Sequence, residues 1–215
     1  MIVIGIVGSP AGGKSTVAAH LQGLGATWIN ADQIAREVLE RAEVQAQLIE
    51  HFGSEITGSD GRIDRTQLAH RVFGDDDAQR AALNYLERVI HPQTRAVITQ
   101  RLKRAADQGA VAAILDVPLL FETRWDRCCD EIWCVDASVD QRRRRAADRG
   151  WSDGELARRE RNQLAIAEKR RLSSWVIVND GSLQQLTETI DQRWSSLLSR
   201  QAELTTNPRC LSTGR

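Results

Sequence analysis

Only three lysines, Lys14, Lys103 and Lys169, stand among the 29 basic residues of this 215-residue chain; every other base is arginine. At most positions that bias reads as genomic base composition, and it leaves Lys14 conspicuous. Net charge is missing as well. The 29 basic side chains meet 29 acidic ones, so no global field draws in nucleic acid or an acidic membrane surface. No apolar run is long enough for a bilayer-spanning helix. The four cysteines, Cys128, Cys129, Cys134 and Cys210, form no C-x-x-C pair. Cys128 and Cys129, being adjacent, cannot comfortably ligate one metal. Structural zinc is therefore not expected, and a reduced, cytoplasmic setting is. The opening "MIVIGIVG" has no basic leader or cleavage pattern and reads as a strand, not a signal peptide. A guanine-reading N-K-x-D motif is absent too.

What is present is an ordinary globular composition, 41% hydrophobic and 27% charged, with room for one domain carrying an insertion. Four short apolar runs read as buried parallel strands: "IVIGIV" (2–7), "VAAILDV" (111–117), "EIWCVD" (131–136) and "WVIVN" (175–179). "TWINA" (27–31) is a weaker fifth. None alternates, as expected where helices cover both faces of a sheet. The intervening patterns are helical. Val17, Leu21 and Leu24 form one stripe that stops at Gly25, and Leu183, Leu186, Ile190, Trp194 and Leu197 form another. The alternation predicts an α/β, doubly wound parallel five-stranded sheet. Residues 34–110 interrupt it with helical stretches, broken by "FGSEITGSDG" and by His91-Pro92, and read as an insertion. The six tryptophans are scattered and read as core. The tail "TTNPRCLSTGR" has no periodicity and is expected to be loose.

Gly8 to Ser15 fits G-x-x-x-x-G-K-[ST] and follows a predicted strand while opening a helix, the context in which such a loop cradles phosphate. Its backbone N–H groups and the helix N-terminus would meet the anion, Lys14 the β/γ oxygens, and Ser15 a magnesium ion. "AAILD" (112–116) ends in Asp116, a second acidic site for that ion. Val117-Pro118 follow, in place of the acidic residue that work-performing ATPases carry there, which points away from hydrolysis as the purpose. Asp32 in "NAD" sits just past the second strand, at the sheet edge where such folds bind ligands. Two roles stand open for it, an N-cap for "QIAREVL" and a catalytic base. Residues 142–171 hold ten Arg and Lys169 against five acids, an excess of six positive charges. Such a run suits a solvated face, a nucleic-acid patch, or a lid whose arginine forks meet a transferring phosphate. A lone histidine such as His91 is more often structural than catalytic.

Together "GGKSTVA", "NADQIAREVL", "HFG", "DGRIDR", "IHPQTR", "LDVPLLFE", "VDAS" with Arg145 and Arg149, "NQLAIAEKRR" and "VIVNDGS" resemble, in order, the dephospho-coenzyme A kinases. The resemblance covers residues 1 to about 200. It implies a P-loop kinase core (1–33, 111–138 and 172–200), a helical substrate insertion (34–110), an arginine-rich lid (139–171) and a flexible tail (201–215). It also implies ATP-dependent phosphorylation of the ribose 3′-hydroxyl of dephospho-coenzyme A in the cytoplasm, with ATP and Mg²⁺ and with neither nucleic acid nor membrane as partner. Asp32, Lys14 and Arg145 are then the catalytic residues. Ala11, Gly12, Gly13, Lys14, Ser15, Thr16, Asn179 and Gly181 hold the nucleotide, Ser15 and Asp116 the metal, and Asp32, Arg65 and His91 the acceptor. The loop departs from the family pattern at Ser9, Pro10 and Ala11. Ala11 places a Cβ where the family has glycine, and Pro10 removes one N–H donor; nucleotide binding is expected to survive. Two other readings remain, a nucleoside monophosphate kinase-like enzyme and a nucleotide-gated, nucleic-acid-binding ATPase. The long "IHP"-bearing insertion argues against the first, and the neutral charge against the second.

Overall fold

The computed structural model describes residues 1–206 except Asp75, and gives the backbone alone for 201–206. The rest of the tail lies outside the described residues. The chain divides into two compact units, Ile29–Gly109 and the remainder.

β1 (Ile2–Gly8) occupies the centre of a five-stranded sheet, four strands of which lie wholly in the larger unit. The others are β2 (Thr27–Asn30), β3 (Ala112–Asp116), β4 (Glu131–Asp136) and β5 (Trp175–Val178), in the order β2-β3-β1-β4-β5. β1 pairs in parallel with β3 and β4, and β4 with β5. The central strands are apolar throughout because both faces are covered. Ile4, Ile6, Ile114, Trp133 and Val135 are buried with Val17 and Leu21 of α1 (Lys14–Gly23) and with Leu186, Ile190, Trp194 and Leu197 of α9 (Leu183–Thr206). Two members of the expected stripes face water instead. Leu24 caps the C-terminus of α1, and Leu183 opens α9, so each stands beyond the packed part of its helix.

Three short helices follow β4. They are α6 (Val139–Ala147), α7 (Asp153–Arg161) and α8 (Ile166–Leu172), with α8 packed on β1 and β4. No helix among the described residues is long and apolar enough to cross a membrane.

The smaller unit is helical: α2 (Ala31–Leu39), α3 (Ala42–Phe52), α4 (Arg65–Val72) and α5 (Asp77–Asp107). "FGSEITGSDG" is a bend with one 3-10 turn and an isolated Thr57–Ile63 bridge. The break expected at His91-Pro92 does not occur, for α5 runs unbroken through Pro92. A proline inside a helix loses one N–H···O=C bond and costs about 3 kcal/mol. Tertiary packing outweighs that here: Val89 and Ile90 before the proline, and Thr94 and Ile98 after it, are all buried.

Candidate active site

The loop between β1 and α1 owes its shape to two glycines. A Cβ on Gly8 would stand 1.9 Å from the Val135 carbonyl oxygen, and one on Gly13 would stand 2.1 Å from Nδ2 of Asn179. Both also have positive φ, 143° and 107°. Ala11 takes φ 57°, the left-handed region that a side chain occupies only at a cost of order 1 kcal/mol. Its methyl is compensated by burial in a small cluster with Ala146 and Leu156, against which Trp151 packs. The Cβ that distinguishes this loop thus ties it to α6 and α7.

No side chain caps the N-terminus of α1, and its first turn holds no acidic residue. An uncapped helix start behind a glycine turn suits a phosphate. The Lys14 ammonium lies over the loop, donating to the carbonyls of Gly8 (3.2 Å) and Ser9 (2.9 Å). Ser15 and Thr16 are exposed in the first turn. Asp116 is buried at the end of β3, in register with Ile6 of β1.

Around this loop the long side chains separate by reach. Arg145 donates through Nη1 to the Gly12 carbonyl (3.3 Å), and through Nη2 to the Asn179 carbonyl (2.9 Å) and Oδ1 (3.4 Å). Asn179, buried just after β5, donates its own amide to the Gly12 carbonyl at 2.9 Å. The structure therefore brings Arg145, Gly12 and Asn179 together. Gly181 is exposed two residues further on, beside Asp180, whose carboxylate accepts from the Ser138 N–H at 2.7 Å. Arg142 is buried and spent internally on the Ala137 carbonyl and Glu160. Asp136 accepts from the Ser9 hydroxyl and from Arg170.

Lys169, which falls in "NQLAIAEKRR" with no role assigned to it, is 2% exposed. Its ammonium donates to the Gly8 carbonyl (3.4 Å) and to Oε1 of Gln163 (2.7 Å). Burial pushes it below the ordinary lysine range, against the opposing pull of the Glu122 charge. The available signal was the scarcity of lysine, which marks Lys169 as it marks Lys14. The Cys134 thiol, pushed up to about 11 by burial and then by Asp136, stays protonated and is no nucleophile.

Asp32, Arg65 and His91 belong to the smaller unit. Asn30, not Asp32, caps α2: its Oδ1 accepts from the Gln33 N–H at 2.9 Å. Asp32 stands one residue inside the helix, exposed in the first turn, so the capping role read for it is overturned. Arg65 and His91 line one apolar cavity of about 310 Å³ with Leu39, Leu68, Phe73 and Ile90. Arg65 also donates to Glu40 at 2.7 Å.

The family model for dephospho-CoA kinase matches residues 2–185. A dephospho-CoA kinase of Rhodopirellula baltica is 39% identical over 196 residues, 91% of each chain. One of Deinococcus radiodurans is 40% identical over 189 residues, 87% of this chain and 88% of its own. Among solved structures, TT1252 from Thermus thermophilus superposes with a TM-score of 0.76 at 36% identity, covering 91% of this chain and 97% of its own. A glycine loop alone would be common ground for many kinases. Likeness that extends through both compact units is not, and by it this chain belongs to the dephospho-CoA kinase family.

Proposed function

We propose that this enzyme transfers the terminal phosphoryl group of ATP to the ribose 3′-hydroxyl of dephospho-CoA, giving CoA and ADP. The observation that carries this reading is the breadth of the family match. It spans the phosphate loop, the helical unit and the arginine-rich helices, not the loop alone.

In the reaction, the 3′-oxygen bonds to the γ-phosphorus as the bond from that phosphorus to the β-phosphate oxygen of ADP breaks. Asp32 accepts the hydroxyl proton, a role favoured by its exposure and by Asn30 having taken over the cap. Lys14 and Arg145 offset the negative charge that gathers on the phosphoryl and leaving oxygens. Residues 11–16 (Ala11, Gly12, Gly13, Lys14, Ser15 and Thr16) hold the phosphates, and Asn179 and Gly181 the base. Arg65 and His91 hold the acceptor beside their apolar cavity. Residues 139–171 serve as a lid over the nucleotide.

Ser15 and Asp116 would hold Mg²⁺, which when bound neutralises triphosphate charge. The donors fit such an ion. Among the described residues no group of three His, Cys, Asp or Glu gathers to hold a metal unaided. One carboxylate and one hydroxyl suit a cation that takes its other ligands from phosphate and water. A nucleic-acid role for the arginine run finds little support, since Arg142, Arg143, Arg159, Arg170 and Arg171 all pair with acidic residues. A reducing, cytoplasmic setting fits the free thiols of Cys128, Cys129 and Cys134.

The test is ADP release with dephospho-CoA, adenosine, AMP or shikimate as acceptor. Release is expected with dephospho-CoA alone. Comparable release with another acceptor, or with none, would overturn the reading.

A further inference from the structure

Two of the chain's three lysines, Lys14 and Lys169, converge on one oxygen, the Gly8 carbonyl. Lys14 is the expected partner of a nucleotide phosphate. Lys169 comes from α8 and is more deeply buried than any other charged side chain among the described residues.

Its surroundings explain its position poorly if it is only a strut. Both acceptors of its ammonium, the Gly8 carbonyl and the Gln163 amide oxygen, are neutral, and it forms no ion pair among the described residues. A buried ammonium without a carboxylate at contact distance carries a heavy desolvation penalty, which an uncharged side chain would avoid. Glu122 attracts the ammonium from beyond ion-pair distance, and a positive charge kept at that cost suits a negative partner that comes into contact. Lys169 also lines a cavity of about 210 Å³ with Ser9 and Pro10 of the loop and with Arg142 and Gln163. Glu160 lines it too, its carboxylate paired with Arg142, so the open space at Lys169 and the loop holds a neutralised acid beside the lysine.

We propose that Lys169 is a second phosphate-contacting lysine, binding the oxygens of the γ-phosphoryl group of ATP together with Lys14. The inference rests on the reading of residues 8–15 as the ATP-phosphate loop. It assigns Lys169 to the group that is transferred, and not to the α- or β-phosphate. As that group leaves ADP, the two ammonium groups hold its equatorial oxygens from two elements of the fold, α1 and α8.

The scarcity of lysine makes a direct test practical. Protein labelled with [ζ-¹⁵N]lysine has three side-chain signals, assigned with the Lys103→Arg and Lys169→Met variants. ADP with Mg²⁺ should move the Lys14 signal and leave Lys169 in place. A non-hydrolysable ATP analogue should move both. A Lys169 signal that ignores the analogue while Lys14 responds would overturn the proposal and leave the loop assignment intact. A Lys14 signal that ignores both nucleotides would instead overturn the loop reading on which the proposal rests. In Lys169→Met, ADP affinity should stay within about twofold, analogue affinity should fall about tenfold and turnover about a hundredfold, with no loss of melting temperature. A lowered melting temperature with both nucleotides weakened equally would make Lys169 a structural strut and overturn the proposal.

Discussion

The phosphate loop and the arginine-rich helices packed on it are specified by different means. In the loop the backbone decides. Gly8 and Gly13 lack a Cβ because the Val135 carbonyl and the Asn179 amide fill the space one would need. In residues 139–172 side-chain reach decides, and neighbours identical in sequence differ in task. Arg145 reaches the Gly12 carbonyl and Asn179, Arg142 is spent on Ala137 and Glu160, and Arg143 stands exposed with Asp153 at 3.8 Å. A backbone constraint leaves a mark in the sequence, whereas reach depends on where a helix comes to lie.

The largest effect should come from outside both regions. Asp32→Asn keeps the shape of the residue and removes the proposed base, so turnover should fall roughly 10²–10⁴-fold with ATP binding and melting temperature unchanged. Because Asn30 carries the cap, Asp32→Ala should be as inactive as Asp32→Asn and no less stable by more than a few tenths of a kcal/mol. Loss of a whole cap's worth of stability in the Ala variant would restore the capping role.

A direct contrast between two arginines should give the next effect. Arg145→Lys loses a planar fork that spans Gly12 and Asn179, and turnover should drop about tenfold or more. Arg143→Lys should stay within about twofold, as expected of an exposed pair. Equal, mild effects at both positions would erase the distinction between them.

Arginines also hold the sheet to α9, and there the effect should fall on stability. Glu131 accepts from the Trp133 indole, from Arg193 and from Arg200. Burial alone would raise its carboxyl, but the bonds from Trp133 and Arg193 outweigh that and hold it below the usual range. A carboxylate held lower in the folded than in the unfolded chain stabilises above the unfolded value, and that contribution disappears as pH falls through the folded one. Glu131→Gln should therefore lower the melting temperature by about 3–6 °C at neutral pH, by a shrinking margin below about pH 4, with kcat intact. A pH-independent difference would show that shape, and not charge, is at work there.

Ala11→Gly should change least. It removes the strained left-handed alanine but also the methyl buried against Ala146 and Leu156. The two terms are each about 1 kcal/mol and opposed, so turnover should move less than about threefold.

The sheet was legible because buried parallel strands are continuous apolar runs; "EIWCVD" matches β4 residue for residue, and the other runs differ from their strands by one or two residues. His91-Pro92 reads as a break because local propensity argues for one, while the burial on either side of Pro92 that holds α5 continuous is a tertiary fact. The cap of α2 passed from Asp32 to Asn30 because both residue types cap well, and the two differ only in where the helix begins. Lys169 lies in "NQLAIAEKRR", but that stretch names no role for it; the packing of α8 on β1 is what brings it to Gly8.

The most direct measurement is phosphorus NMR of the product formed from ATP and dephospho-CoA. The account predicts one new phosphate monoester coupled to the ribose H3′, formed in step with ADP. A monoester on any other hydroxyl, or inorganic phosphate in its place, would contradict it.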